Sequence, residues 1–293
     1  MIGLAFGAHL MATALVAGAL FFAAVLPRNP SGAASDPHWL GDILMRHIAL
    51  GLVASAITGL LWLWLVASEI SGLPWINAAG VIPRVLISTH FGHVWLGRIA
   101  VMAVLGILFA GIRPAASQLF KIGAAIFGPI LLVSLAATGH AVDKRGGMIV
   151  QGVHLLAAGI WFGGLWALRL ALLSTADTVF AYEATARFSS IALFAVGALA
   201  VSGLMNALVH TPHPGMLLGS AYGAFLIGKT VLFAVALVFA AVNRWRLVPQ
   251  LAGAAPQGSA HLWLVRSIAI EAAFVAAVLL MAAFVATTPP PHH

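Results

Sequence analysis

The chain has 293 residues, of which 62% are hydrophobic and 7% are charged, and its mean hydropathy is +1.07. About a quarter of the residues in a soluble domain are charged, so this composition excludes a soluble protein and predicts a lipid bilayer as its surroundings. The absence of cysteine excludes disulfides, thiolate zinc sites and iron–sulfur clusters, and the net charge of +7 indicates membrane orientation rather than nucleic-acid binding.

Eight apolar runs follow one another along the chain, each long enough for a transmembrane helix of roughly 20 residues. They lie near residues 3–26, 43–67, 93–112, 120–139, 149–173, 187–210, 222–243 and 262–287. The first run lacks a basic leader and a cleavage site, so we expect it to be retained as a span. The sequence therefore predicts an all-α polytopic membrane protein with about eight transmembrane helices and no separate soluble domain.

The basic residues between these runs set the predicted orientation. One side of the membrane would carry Arg28, Arg46, Arg113, Lys121, Arg169, Arg187, Arg244, Arg246 and Arg266, whereas the other would carry Arg84, Lys144 and Arg145. Lys and Arg are enriched in cytoplasmic loops. We therefore expect both termini on the periplasmic side of a bacterial inner membrane.

Three pairs of segments indicate an internal repeat. FGAHLMATALVAGALF (6–21) aligns with QGVHLLAAGIWFGGLW (151–166), FGHVWLGRIAVMAVL (91–105) with YGAFLIGKTVLFAVA (222–236), and ITGL (57–60) with VSGL (201–204). This alignment pairs His9 with His154, Gly18 with Gly163, and Arg98 with Lys229. Because an even number of helices separates the copies, we expect two four-helix halves, 1–140 and 141–293, in parallel orientation about a pseudo-two-fold axis.

Glycines mark where the two halves would meet. Gly18 in the first predicted helix, and Gly163 with Gly164 in the fifth, leave no side chain to keep two helices apart. Small residues of this kind allow close helix packing in membranes. We therefore expect the first and fifth predicted helices to pack closely.

Histidines gather near the predicted outer face. His9 and His154 lie one to two turns below it, His90 and His93 begin the third predicted helix, and His140 ends the fourth. An imidazole inside an apolar helix must find a polar partner. His9 and His154, meeting across the two-fold axis, would supply two nitrogens to one copper ion, with His140 and His90 or His93 completing the site. The simpler alternative is an ordinary hydrogen bond between helices.

Three charged residues lie inside the predicted spans. Arg98 and Lys229 are about two turns below the outer face, and Glu271 is nearly three turns into the last helix. Charge at such depth is costly unless it is paired. We expect Glu271 to neutralise Lys229 or Arg98; the alternative is a transient cation or proton site on an inward path.

Other residues are placed to assist such a site. Asn206 would orient a ligand, and the thioether of Met205 would either assist copper or fill the core. Trp161 follows His154 by seven residues, so it falls on nearly the same helix face and would shield the site or pack. These residues extend the candidate pathway inward, while the exit to the cytoplasm stays undefined.

Several segments together resemble the CopD family of copper-resistance membrane proteins. They are ATGHAV, HLLAAGIWFGGLW, ARFSSIAL, VSGL, AYGAFLIGKTVLFAVALVFAAVNRWRLVP and VRSIAIEAAF, which lie within about residues 134–275. The resemblance implies an eight-helix inner-membrane protein that moves copper from periplasm to cytoplasm. It also implies a separate periplasmic copper-binding partner of the CopC type, and copper ligands at His9, His140 and His154, with His90 and His93 as further members.

Two other functions compete with copper transport. Two imidazoles from facing transmembrane helices also hold b-type haem, and spacing alone leaves haem and copper open. A copper-binding scaffold or sensor that moves nothing is the third possibility. The chain has no nucleophile paired with a base, no phosphate-binding loop and no paired catalytic carboxylates, so we do not expect an enzyme.

Overall fold

Long apolar helices make up the fold, as the hydropathy pattern predicts. The structure, a computed structural model, describes residues 1–25, 38–111, 118–139, 146–175, 177–210, 219–252 and 258–289. Within these ranges the α-helices are α1 (Ile2–Val25), α2 (His38–Ser71), α3 (Ile82–Ser88), α4 (His90–Gly111), α5 (Gln118–Val133), α6 (Gly147–Leu173), α7 (Thr178–His210), α8 (Ala221–Val242), α9 (Val248–Leu251) and α10 (Ser259–Thr287). The expectation of an all-α polytopic membrane protein is confirmed.

Seven of these helices, within the described residues, are long and apolar enough to cross a membrane: α1, α2, α4, α6, α7, α8 and α10. The remaining predicted span, the fourth along the chain (120–139), is built differently. The 16 residues of α5 continue into a five-residue 3₁₀ helix, Ser134–Thr138, and Pro129 lies inside α5. At about 1.5 and 2.0 Å per residue, the two pieces together reach roughly 34 Å, enough for a hydrocarbon core of about 30 Å.

Several helices extend beyond the apolar runs that predicted them. The N terminus of α7 lies at Thr178, nine residues before its apolar run, because the Asp177 side chain accepts hydrogen bonds from the backbone N–H groups of Val179 and Phe180. The connector between α2 and α4 contains a 3₁₀ helix, Trp75–Val81, followed by α3. Hydropathy thus located the apolar part of each long helix, and for α2 and α7 it did not locate the ends.

Helices α1 and α6 form the centre of the bundle. In their most apolar 18-residue windows, 56% of α1 and 72% of α6 are buried, against 6% for α8. Helix α1 packs against α2, α5, α6 and α10, and α6 also packs against α7. The two aligned segments that carry His9 and His154 are therefore the two innermost helices.

The close packing predicted from the glycines is confirmed for α1 and α6. A Cβ added at Gly18 would overlap the Gly159 carbonyl oxygen, and one added at Gly163 would lie 2.6 Å from the Ala14 carbonyl oxygen. Gly164 differs from the prediction, because it faces the ring of Phe188 in α7. The main chains of α1 and α6 thus meet directly, through Gly18, Gly159 and Gly163, which we call the glycine seam.

Candidate functional site

His9 lies in a buried polar cluster between α1, α2 and α4. Its side chain is fully buried, with Nδ1 2.9 Å from the Ser55 carbonyl oxygen and Nε2 2.7 Å from an Nη atom of Arg98. The rings of Trp62 and Trp95 flank the imidazole, with centroids 5.7 and 5.5 Å away. The two polar neighbours and the two indoles hold the ring in one orientation.

These contacts fix which nitrogen of His9 carries hydrogen. The Ser55 carbonyl can only accept, so His9 Nδ1 donates to it. Arg98 can only donate, so His9 Nε2 accepts from it through its lone pair. A metal-binding imidazole commonly has this arrangement, with one ring nitrogen donating to a carbonyl and the other presenting its lone pair. In this structure, Arg98 donates to the lone pair of His9 Nε2.

Arg98 is held at the point where α5 tightens into its 3₁₀ end. One of its Nη atoms donates to the Leu131 carbonyl oxygen at 2.6 Å and to Ser134 Oγ at 2.5 Å. The side chain is 1% exposed, and its Nε has no partner within the described part of the chain. The guanidinium group thus links His9 on α1 to the last membrane segment of the first half.

His154 lies in a similar setting in the second half. Its Nδ1 is 2.9 Å from Ser202 Oγ on α7. The Ser202 hydroxyl donates its single hydrogen to the Ala198 carbonyl oxygen at 2.5 Å, so His154 Nδ1 must donate to Ser202. The Nε2 atom of His154 therefore also carries the lone pair.

The aligned residues of the two halves make matching contacts. Gly59 lies against the His9 ring, and Gly203, its counterpart in the repeat, lies against the His154 ring. Arg98 contacts His9, and its counterpart Lys229 lies close enough for its charge to act on His154. Each central histidine is thus accompanied by a glycine and a cation at aligned positions.

The two histidine rings hydrogen-bond to different helices. The hydrogen bonds of His9 go to α2 and α4, whereas that of His154 goes to α7. Among the described residues, no group of three or more His, Cys, Asp or Glu side chains is arranged to hold a metal ion. The meeting of the two rings at one metal ion therefore has no described contact in its support, and it stays a prediction, as does metal binding by either ring.

The remaining predicted ligands lie at the start of α4 or outside the described residues. His90 and His93 are exposed; their Nε2 atoms lie 3.0 Å from the Ala137 carbonyl oxygen and 3.1 Å from the Ile87 carbonyl oxygen. His140 lies outside the described residues. His90 thus contacts the 3₁₀ helix that precedes His140 in the sequence.

Glu271 does not form the expected ion pair. Its Oε1 accepts from Trp161 Nε1 at 2.7 Å, and its Oε2 accepts from Asn243 Nδ2 at 2.6 Å. Arg98 instead contacts His9 and α5, and Lys229 lies near His154. The prediction that Glu271 neutralises Arg98 or Lys229 is wrong, because neutral donors from α6 and the end of α8 already hold the carboxylate.

The other assisting residues have more local contacts. Asn206 Nδ2 donates to Gln151 Oε1 at 2.8 Å, which joins α7 to α6 one turn before His154. Met205 is 46% exposed, so it lies on the outer surface of the bundle and not along an interior path. Trp161 is buried and contacts Glu271 and Phe233, not His154.

Two family models match the chain. The model described as "Copper resistance protein D-like, N-terminal domain" matches residues 1–150, about half of the chain. The model described as "Copper resistance protein D" matches residues 182–285. This chain belongs to the copper resistance protein D family. The first half, which lies almost entirely outside the resembling segments at about 134–275, therefore carries a family match of its own.

Three curated relatives of this copper resistance protein D family member are similar to it. The matches are to copper transport protein CutJ of Bacillus subtilis, 35% identical over 56% of this chain and 32% of that protein; inner membrane protein YebZ of Escherichia coli, 32% identical over 71% of each chain; and copper resistance protein D of Pseudomonas syringae pv. tomato, 29% identical over 80% of this chain and 74% of that protein. The matched part covers about a third of CutJ. No solved structure matches the chain.

Sequence reasoning missed several partners in this family member. The Ser55 carbonyl oxygen is a backbone atom, so the residue type at position 55 does not predict its contact with His9. Asn243, which directly follows α8, lies at the end of the predicted apolar run 222–243 and was not singled out from the sequence. Ser202 had a usable signal, because it lies next to Gly203 in the segment VSGL, which aligns with ITGL.

Proposed function

We propose that this protein carries copper across the bacterial inner membrane, from the periplasm to the cytoplasm. The observation that carries the proposal is the pair of imidazoles on the two central helices, each held through Nδ1 so that Nε2 presents its lone pair. Imidazole nitrogen is a suitable copper ligand. Membership of a family named for copper resistance supports copper as the metal.

In this proposal, Arg98 caps the first ligand. Copper reaches His9 Nε2 only after the guanidinium group leaves it, and Leu131 and Ser134 on α5 provide Arg98 with other acceptors. The Arg98 guanidinium group can then return to His9 Nε2 once copper has left that nitrogen. His154 receives copper more readily, since no described residue hydrogen-bonds to its Nε2.

His90, His93 and His140 form the proposed receiving end. His90 and His93 are exposed at the start of α4, where copper from a periplasmic carrier of the CopC type would arrive. This assignment puts both chain termini in the periplasm and divides the chain into halves 1–140 and 141–293. It describes a transporter rather than an enzyme.

Neither alternative function has a contact in its favour. Bis-histidine haem needs both Nε2 atoms to meet at one iron, whereas His9 Nε2 is directed at Arg98 on α4. A scaffold or sensor would bind copper in the same way and differs only in moving none. Transport measurements therefore separate it from the proposal.

Copper uptake into proteoliposomes tests the proposal. We expect the unmodified protein to load vesicles with copper, and His9→Gln and His154→Gln to reduce uptake at least tenfold while they remain folded by size-exclusion chromatography. His47→Gln is the matched control, because the hydrogen bond of His47 among the described residues goes to the Ile43 carbonyl oxygen of its own helix. Copper binding without uptake by the unmodified protein would support the scaffold instead, and a Soret band would support haem.

A further inference from the structure

Glu271, Asn243 and Trp161 form a second buried polar cluster, separate from the histidines. Glu271 lies on α10 about 18 Å along the helix from Ser259, at about 1.5 Å per residue, and it is 3% exposed. Trp161 on α6 donates to one carboxylate oxygen, and Asn243, directly after α8, donates to the other. Three elements thus converge on a single carboxylate within the membrane-spanning bundle.

No described cation neutralises this carboxylate. The basic side chains on the elements that pack against α10, and on α10 itself, have other contacts or positions. On and next to α10, Arg266 lies over the Trp263 ring, His261 contacts the Leu172 carbonyl oxygen, and Arg244 donates to Ser189 Oγ. Of the remaining basic side chains, Arg246 is exposed, Lys229 lies near His154, and Arg169 makes no described contact with Glu271. His9 on α1 contacts Ser55 and Arg98. An unpaired charge in a membrane interior is costly, so this site calls for a positive partner.

The Oδ1 atom of Asn243 is a hydrogen-bond acceptor that a positively charged partner of Glu271 could use. Its side chain is 7% exposed, and its Oδ1 has no hydrogen-bond partner within the described part of the chain. Oδ1 and Nδ2 share one carbon, so Oδ1 lies beside the carboxylate that Nδ2 contacts. Rotation about one terminal torsion exchanges the two atoms, which would bring Oδ1 next to Glu271 Oε2.

The backbone at Asn243 is also unusual. Residues Asn243–Leu247 form a π-helical turn between α8 and α9. Single π-turns inside helices are rare and occur frequently at functional sites. Here the turn places Asn243 against α10, so the irregular backbone and the unpartnered oxygen coincide at Glu271.

We propose that Glu271, Asn243 and Trp161 form a proton-binding site inside the bundle. In one state the carboxylate is ionised and accepts from Trp161 and Asn243. In the other state, Glu271 Oε2 has taken up one proton from the aqueous phase and the side chain is a neutral carboxylic acid. Its O–H then forms a hydrogen bond to Asn243 Oδ1 after the amide has turned, while Trp161 still donates to Oε1. The proton is the ligand, no other bond changes, and the proposal does not depend on copper.

Infrared difference spectroscopy between acidic and alkaline pH tests this site in the full-length protein in nanodiscs. We expect a carboxylic-acid C=O band that shifts in D₂O, is missing in Glu271→Gln, and changes frequency in Asn243→Leu and Trp161→Phe. Glu271→Gln should fold, because its amide N–H can donate to Asn243 Oδ1 as the acid does. Glu69→Gln, which alters an exposed carboxylate at the end of α2, should leave the Asn243-sensitive band unchanged.

Two results would overturn the proposal. One is identical difference spectra for the unmodified protein and Glu271→Gln, which would mean that Glu271 takes up no proton while the protein is folded. The other is a Glu271 band that does not move when Asn243 is changed. If Asn243→Leu does not fold, Asn243→Ser supplies the same comparison. Failure of copper transport would leave all of these outcomes unaffected.

Discussion

At the scale of single residues, the two central histidines are fixed more tightly than their sequence context suggests. The alignment of the two halves predicted that His9 and His154 are equivalent, and their glycine and cation neighbours agree with it. The hydrogen-bond partner of His9 was not predictable, because it is a backbone carbonyl oxygen, whereas that of His154 is a serine on the neighbouring helix α7 whose position in the aligned segments gave a signal. These partners of Nδ1 determine how each imidazole ring is oriented, and the identity of the histidine alone does not.

The glycine beside each histidine gives a direct comparison. A Cβ on Gly59 would lie 2.6 Å from a Trp95 ring carbon and 2.9 Å from a His9 ring carbon, whereas one on Gly203 would lie 3.3 Å from His154. We expect Gly59→Ala to lower the free energy of unfolding by about 2 kcal/mol through overpacking, and Gly203→Ala to change it much less. Denaturant titration in detergent measures both, and equal losses would contradict the described packing.

Arg98 is expected to weaken copper binding at His9 in the unmodified protein. Arg98→Met removes the donor to His9 Nε2, and a hydrogen bond to a charged group is worth about 1.5–3 kcal/mol. We therefore expect copper to bind roughly tenfold more tightly in this variant, measured by competition with a chelator. Arg244→Met is the control, because within the described residues the Arg244 side chain hydrogen-bonds to Ser189 and not to a histidine; unchanged or weaker binding in Arg98→Met would refute the capping role.

At the scale of elements, hydropathy predicted the long helices and missed how the fourth membrane segment is built. A 3₁₀ end, with Pro129 a few residues earlier, does not alter the apolar pattern, so α5 looked like any other span. Yet this transition provides the two acceptors for Arg98. The 3₁₀ transition was not predictable from hydropathy, because it is a change in backbone geometry that places the Leu131 carbonyl oxygen and the Ser134 hydroxyl beside Arg98.

The glycine seam should be the most sensitive contact between elements. Gly18→Ala would push a methyl group into the Gly159 carbonyl oxygen, and we expect it to cost about 3 kcal/mol of stability or to prevent folding. Gly106→Ala on α4 is the control, since no heavy atom lies within 4 Å of its added Cβ, and alanine favours the helix by about 1 kcal/mol. Size-exclusion profiles and thermal unfolding distinguish the two; a stable Gly18→Ala protein would be inconsistent with direct main-chain contact.

At the scale of the whole molecule, the number of crossings decides the arrangement of the termini. If α5 and its 3₁₀ end cross the membrane, the chain crosses eight times and both termini lie on one side. The natural absence of cysteine allows single cysteines to be placed without background. Charge distribution predicts the periplasmic side, and the helix bounds alone do not establish it.

Labelling with an impermeant maleimide in intact spheroplasts tests this topology. We expect Gly80→Cys and Pro289→Cys to react, because both would face the periplasm, and Gln250→Cys to react only after the membrane is permeabilised. All three positions lie in or beside exposed connectors. Labelling of Gly80→Cys but not Pro289→Cys would show that α5 does not cross.

The glycine seam also limits how the molecule can change shape. Where Gly18 meets Gly163 there is no side chain to rearrange, so no passage opens there unless two main chains separate. Helices α7 and α8, with 17% and 6% of their most apolar windows buried, are the ones with room to tilt. If the molecule opens toward either side of the membrane, we therefore expect the opening to take place around this fixed centre.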